Sequence, residues 1–173
     1  RREYPAVGGP ARQSRRPGWD TAPSKDARMS NDTSTTWAAL RAALAPTFPQ
    51  LEEVDAGGAL TMDLGPDGWL LELTPDGRLL CQYGMALEDV MTLLSDGTPE
   101  DLGTDEIAKQ AKYYIQPAVS KYRAILLKSG FSEQTEMNDA YVAVRFERSV
   151  DLTNPAAVQD LMSWCLRTIG VAR

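Results

Sequence analysis

The chain has 173 residues, 24 acidic, 18 basic and no histidine, for a formal charge of −6. With 43% apolar residues it holds enough hydrophobic material for one folded domain and a tail. The missing histidine excludes Ser-His-Asp and Cys-His catalysis and any histidine metal site, and two lone cysteines exclude a zinc knuckle and argue against a disulfide scaffold.

The charge is uneven. Residues 1–28 carry seven basic side chains against Glu3, Asp20 and Asp26, a balance of +4, while 29–173 carry 11 basic and 21 acidic, a balance of −10. Pro5, Pro10, Pro17 and Pro23, with Gly8, Gly9 and Gly18, punctuate the first stretch, and Tyr4, Val7 and Trp19 are too few to build a core. Residues 1–33 therefore read as a basic, disordered tail and 34–173 as a single α+β domain. Three readings of the tail compete. It is an arm that neutralises phosphates through Arg12, Arg15, Arg16 and Arg28, a tail without a dedicated role, or an extension ahead of a start at Met29. Met29 is followed by Ser-Asn-Asp-Thr-Ser-Thr, an ordinary bacterial amino terminus. No apolar run of signal-peptide length occurs in the tail, and no stretch approaches the roughly 20 apolar residues of a membrane span. A soluble, cytoplasmic protein is expected.

From Thr36 the pattern is helical: Trp37, Leu40 and Leu44 fall three and four apart, with Thr35 or Thr36 as cap and Pro46 and Pro49 as stops. Short strands follow with a two-residue alternation, in which Leu60, Met62 and Leu64, then Trp69, Leu71 and Leu73, then Leu79, Cys81 and Tyr83 mark one face. Gly65-Pro66-Asp67-Gly68 and Pro75-Asp76-Gly77 separate them as turns, since proline presets φ and Asp-Gly accepts the left-handed step. A further strand is expected near 51–55.

Leu87, Val90, Met91 and Leu94 then outline a short amphipathic helix ended by Gly97. Thr104 is the expected cap of a longer one, striped by Ile107, Ala111, Tyr114, Ala118, Tyr122 and Ile125 and closed by Gly130. Pro117 inside it should kink it, at a local cost of about 3 kcal/mol if nothing compensates. A hairpin at Asn138-Asp139 leads into Val142, Val144 and Phe146, which alternate with Arg145 and Glu147. Asn154-Pro155 is a cap followed by a first-turn proline, opening a helix striped by Val158, Leu161, Met162, Cys165 and Ile169.

Each strand has one apolar face, so the fold class is α+β, an antiparallel sheet with helices packed on one face. The other face would carry Thr61, Asp63, Leu70, Glu72, Leu80, Gln82, Tyr141 and Arg145, neither a clean solvent face nor a second core. It reads as a contact surface for a second chain.

Catalytic signals are weak. Asp63-Leu64-Gly65-Pro66-Asp67-Gly68 has no acid at its third position and Thr74 at its twelfth, so it is a turn and not a calcium loop. Gly57-Gly58 is too short to cradle phosphates. Glu52, Glu53 and Asp55, or Glu88 and Asp89, could serve as paired carboxylates but read as solvated surface. Cys81 and Cys165 sit on apolar stripes as buried structural thiols. Tyr113, Tyr114 and Tyr122 with Lys112 and Lys121 imitate a stacking platform, yet the −10 balance repels phosphate and helix packing explains them better. Trp164 is an edge-of-core residue or an exposed anchor for a partner.

A small acidic chain in the order helix, strand meander, long helix, two strands and terminal helix resembles the YbjN family, whose fold is similar to the chaperones of bacterial type III secretion. The resemblance spans 34–170 and rests on element order, acidity and the strand patterns of 64–83 and 141–146. It implies a type III secretion chaperone-like homodimer that binds another protein without enzymatic turnover. It carries over no catalytic, cofactor-binding or metal residue, and the basic tail departs from it.

The leading expectation is thus an acidic, dimeric, cytoplasmic adaptor, not an enzyme and without a cofactor, holding a basic partner such as a DNA-repair or single-stranded-DNA-binding protein. Its candidate partner or dimer contacts are Asp63, Leu70, Glu72, Leu80, Tyr141, Tyr114, Tyr122 and Trp164. A direct nucleic-acid binder using the tail is the alternative, and a histidine-free hydrolase with two carboxylates is the third.

Overall fold

The computed structural model describes residues 31–94, 103–138 and 140–170, so the tail of 1–28, Gly97 and Asp139 lie outside the described residues. Helix α1 (Asn31–Leu44) leads into four strands, β1 (Glu52–Glu53), β2 (Leu60–Asp63), β3 (Leu70–Leu73) and β4 (Arg78–Ala86). Two helices, α2 (Leu87–Leu94) and α3 (Thr104–Lys128), precede β5 (Ser132–Met137), β6 (Tyr141–Ser149) and α4 (Pro155–Ile169).

The six strands form one antiparallel sheet in the order β1-β2-β3-β4-β6-β5. The first four make the meander that the alternation predicts, and Gly68 and Gly77 take the left-handed step at its turns, with φ of +82° and +83°. After the helical crossover the chain enters at the far edge as β5 and returns inside as β6. Strand β6 then pairs with β4 over nine residues, from Arg78↔Ser149 to Ala86↔Tyr141. The Asn138 side chain accepts from the backbone N–H groups of Ala140 and Tyr141 at 2.8 and 2.9 Å, which fixes this hairpin.

One face of the sheet carries the core. Leu60, Met62, Leu71, Leu73, Leu79, Cys81, Val142, Val144 and Phe146 are buried there beneath Leu40 and Leu44 of α1, Ala111, Ile115, Val119 and Leu126 of α3, and Val158, Met162 and Ile169 of α4. Trp69 is fully buried among Tyr83, Tyr122 and Phe146, with ring centroids 5.5, 5.6 and 6.1 Å away. The Arg123 guanidinium of α3 grips Glu133 of β5 with two bonds of 2.8 and 2.6 Å, and Arg41 of α1 pairs with Glu53 of β1.

Several expectations are corrected. Helix α1 is already formed at Asn31, so Thr35 and Thr36 lie inside it and the boundary at 34 cuts the helix. Gly103, not Thr104, is the N-cap of α3. The buried stripe of α3 is turned from the expected one: Ala111, Ile115, Val119, Tyr122 and Leu126 are buried, whereas Tyr114 and Ala118 are half-buried and Ile125 is exposed. Helix α3 runs on through Pro117, which lies on its exposed side. In α2, Leu87 and Val90 are buried but Met91 is exposed. The Asn154 cap holds, accepting from Ala157 N at 3.2 Å with Pro155 in the first turn. Among the described residues no helix is long and apolar enough to cross a membrane.

Candidate functional site

All the packing above uses one side of the sheet. Strand alternation and register place Glu52, Thr61, Glu72, Leu80, Glu147 and Ser132 in one row across the opposite side, and Asp63, Leu70, Gln82, Arg145 and Gln134 in the next. Gly84, Ala143 and Glu136 follow, then Ala86 and Tyr141. Of the sequence-derived candidates, this face brings together Asp63, Leu70, Glu72, Leu80 and Tyr141.

Apolar and ionic side chains are interleaved on it, with Gln82 and Arg145 standing between Leu80 and Ala143. Leu80 and Ala143 are only 4% and 5% exposed although neither faces the helices, and Leu70, diagonal to Leu80, is half-buried. In-register neighbours on one face sit about 4.5–5.5 Å apart at Cβ, so the stems of Glu72 and Glu147 flank Leu80 on both sides. A chain of polar contacts then crosses four strands. Gln82 Nε2 donates to Glu72 Oε2 at 3.3 Å, and Arg145 Nε donates to Gln82 Oε1 at 2.9 Å. Arg145 also pairs with Glu136, whose other oxygen accepts from the Tyr141 hydroxyl at 2.6 Å. Partial burial, together with that carboxylate, pushes the Tyr141 phenol above its ordinary value.

Carboxylates dominate the charge. Glu52, Asp63, Glu72, Glu136 and Glu147 share the face with Arg78 and Arg145. Both arginines are already engaged, Arg145 by Glu136 and Arg78 by Asp76 at 2.8 Å and Glu147 at 3.6 Å. Glu52 and Asp63 are exposed and border a shallow hollow of about 250 Å³ with Gln50, Thr61 and Leu70. The charge of this face is therefore net negative. Among the described residues, no group of three or more Asp, Glu or Cys side chains stands close enough to hold a metal ion.

The helical candidates lie elsewhere. Tyr122 is buried beneath α3, its hydroxyl donating to Ile169 O at 3.3 Å, so it is not on any surface of the monomer. Tyr114 is half-buried, edge-on to the exposed Tyr113 at 6.0 Å. Trp164 is also half-buried and stacks on Phe131 at 6.2 Å and 20°.

Sequence reasoning misses Glu136 and Ala143. Glu136 becomes visible only once β5 is recognised as a strand and paired with β6. Ala143 is visible from its alternation with Val142 and Val144. Comparison with protein-family models, with curated proteins and with solved structures finds no match to this chain.

Proposed function

We propose that this chain is a non-enzymatic binding protein whose uncovered sheet face holds an extended, basic segment of another protein. The observation that supports the reading is a six-stranded sheet that, among the described residues, is packed on one side only. Its other side interleaves Leu70, Leu80 and Ala143 with five carboxylates and two arginines that are already paired. Buried apolar side chains together with charged ones are ingredients of a protein-binding patch. The excess of carboxylates favours a cationic partner by steering and by complementarity, and repels phosphate backbones. A nucleic-acid-binding partner, itself basic, fits that charge. The reading includes a cytoplasmic homodimer of the YbjN-like, secretion-chaperone-like type, for which the order of elements and the one-sided antiparallel sheet are the support.

The test is affinity capture with the tagged full chain at low and high salt, beside Asp63→Lys/Glu72→Lys and Leu80→Asp variants checked for native circular dichroism. A basic protein retained by the parent chain at low salt and lost by the folded variants supports the reading. Retention that ignores both variants, or no retention at all, overturns it. Light scattering on the free chain decides the dimer.

A further inference from the structure

Cys81 on β4 and Cys165 on α4 are 84 positions apart in sequence, yet their sulfurs stand 3.6 Å from one another. Both are free thiols with no exposed surface. A separation of 3.6 Å is contact between sulfurs; a disulfide at about 2.05 Å requires the two to close by roughly 1.5 Å, a distance that small χ1 rotations of both residues can supply. The pair also lies at a mechanical junction, because β4 is a central strand and α4 is the last helix described. A bond between them would fasten the helix layer to the middle of the sheet.

We propose that Cys81 and Cys165 form an intramolecular disulfide site, closed by a small hydroperoxide oxidant, that pins α4 to the sheet. One thiol, as thiolate, attacks a peroxide oxygen, becomes a sulfenic acid and releases one water. The second sulfur then attacks the sulfenic sulfur and displaces a second water. Two thiols and one hydrogen peroxide thus give one disulfide and two waters, the thiol protons ending in the water.

Access sets the rate. The hydrogen bond to Cys165 and burial both push the Cys81 thiol well above its ordinary range, so thiolate is scarce in the closed fold. Oxidation therefore runs through partial opening of α4, which gives up no strand pairing. The site then traps the docked arrangement when the helix returns.

The experiment uses the reduced full chain in two arms, one exposed to hydrogen peroxide while native, the other refolded from denaturant in an oxidising glutathione buffer. Each is quenched, unfolded, treated with N-ethylmaleimide and weighed intact, with peptide mapping to follow. The expected result is the loss of two hydrogens, no uptake of reagent and a Cys81–Cys165 linked peptide, with a higher Tm than the reduced chain. No closure in the native peroxide arm overturns the proposal even where the refolding arm closes, because the hydroperoxide then does not close the site. Two alkylated thiols after oxidative refolding, a sulfinic acid, glutathione adducts or interchain dimers overturn it. The folded Cys165→Ala variant must lose the linked peptide and take up glutathione or reagent at Cys81; the same two-hydrogen loss in that variant also overturns the proposal.

Discussion

Leu79 and Leu80 are consecutive residues of β4 that point to opposite sides of the sheet, so replacing each by alanine compares its two faces within one strand. Both are nearly inaccessible, at 0% and 4% exposure, and each substitution removes the same three carbons. At about 0.8 kcal/mol per buried CH₂ the transfer contribution is roughly 2 kcal/mol at either position. Leu79 lies in the closed core, where the rigid surroundings leave a cavity, so Leu79→Ala should cost about 3–4 kcal/mol. Among the described residues there is no second layer behind Leu80. Water and the relaxing stems of Glu72 and Glu147 fill the hollow, and Leu80→Ala should cost about 1 kcal/mol. A 3 kcal/mol loss lowers Tm by roughly 6–12 °C and a 1 kcal/mol loss by roughly 2–4 °C for a chain of this size. Urea unfolding followed by tryptophan fluorescence, with m unchanged, measures the difference. Equal losses at the two positions would refute the argument, because they would mean that the second face is packed as tightly as the first.

Three further outcomes follow from the same geometry. In a double-mutant cycle, Arg145→Met with Glu136→Gln should yield a coupling near 1 kcal/mol that shrinks with salt, since the pair is about one-third exposed but belongs to a bonded chain; a coupling of zero would dissolve that chain into independent contacts. Gly65→Ala should destabilise far more than Gly57→Ala by urea unfolding. Both have positive φ, but a Cβ on Gly65 would sit 2.6 Å from the Gly170 carbonyl, whereas nothing lies within 4 Å at Gly57. Asp76 gives the acid dependence: its partial burial acts to raise the carboxyl, but the Thr74 hydrogen bond and the Arg78 charge outweigh it and hold it below 3.8. A lowered folded value means stabilisation that is full above the ordinary carboxyl range and is lost as pH falls through the folded value. Asp76→Asn should therefore lose less stability than the parent chain between about pH 5 and pH 2, and an identical loss would remove Asp76 from the acid response.

Strands β2, β3 and β4 are legible in the sequence because their core-facing residues alternate with polar ones except at Leu70 and Leu80, and because their turns need glycine at positive φ. The same alternation makes Asp63, Leu70, Glu72, Leu80 and Tyr141 legible as one face. Strand β5, Ser-Glu-Gln-Thr-Glu-Met, has no apolar alternation to read, since an edge strand with little burial needs none. Glu136 is hidden with it. In α3 the tyrosines mislead: Tyr114 and Ile125 fit a helical stripe as well as Ile115 and Leu126 do, and only the position of the sheet beneath decides between them. The Cys81–Cys165 contact is beyond local reading altogether, since it depends on where α4 crosses β4 and no spacing over 84 residues encodes that.

On the proposed function, the two parts of the open face have separate roles. At physiological ionic strength fields are screened over about 8 Å, so the exposed Glu52 and Asp63 act on a partner mainly during approach and at first contact. They sit at the β1–β2 end of the sheet, away from the paired Arg145 and Glu136 at the β6–β5 end, which gives the face a direction as well as a sign. Leu70 and Leu80 lie between those ends, where a seated chain would exclude water and apolar contact counts for most. On the proposed reading, charge would choose the partner and its orientation, and the apolar side chains would set how long it stays. Leu80 has both structural and binding weight on this reading: its burial stabilises the sheet before any partner arrives, which is why a leucine can persist on a face that the helices leave bare.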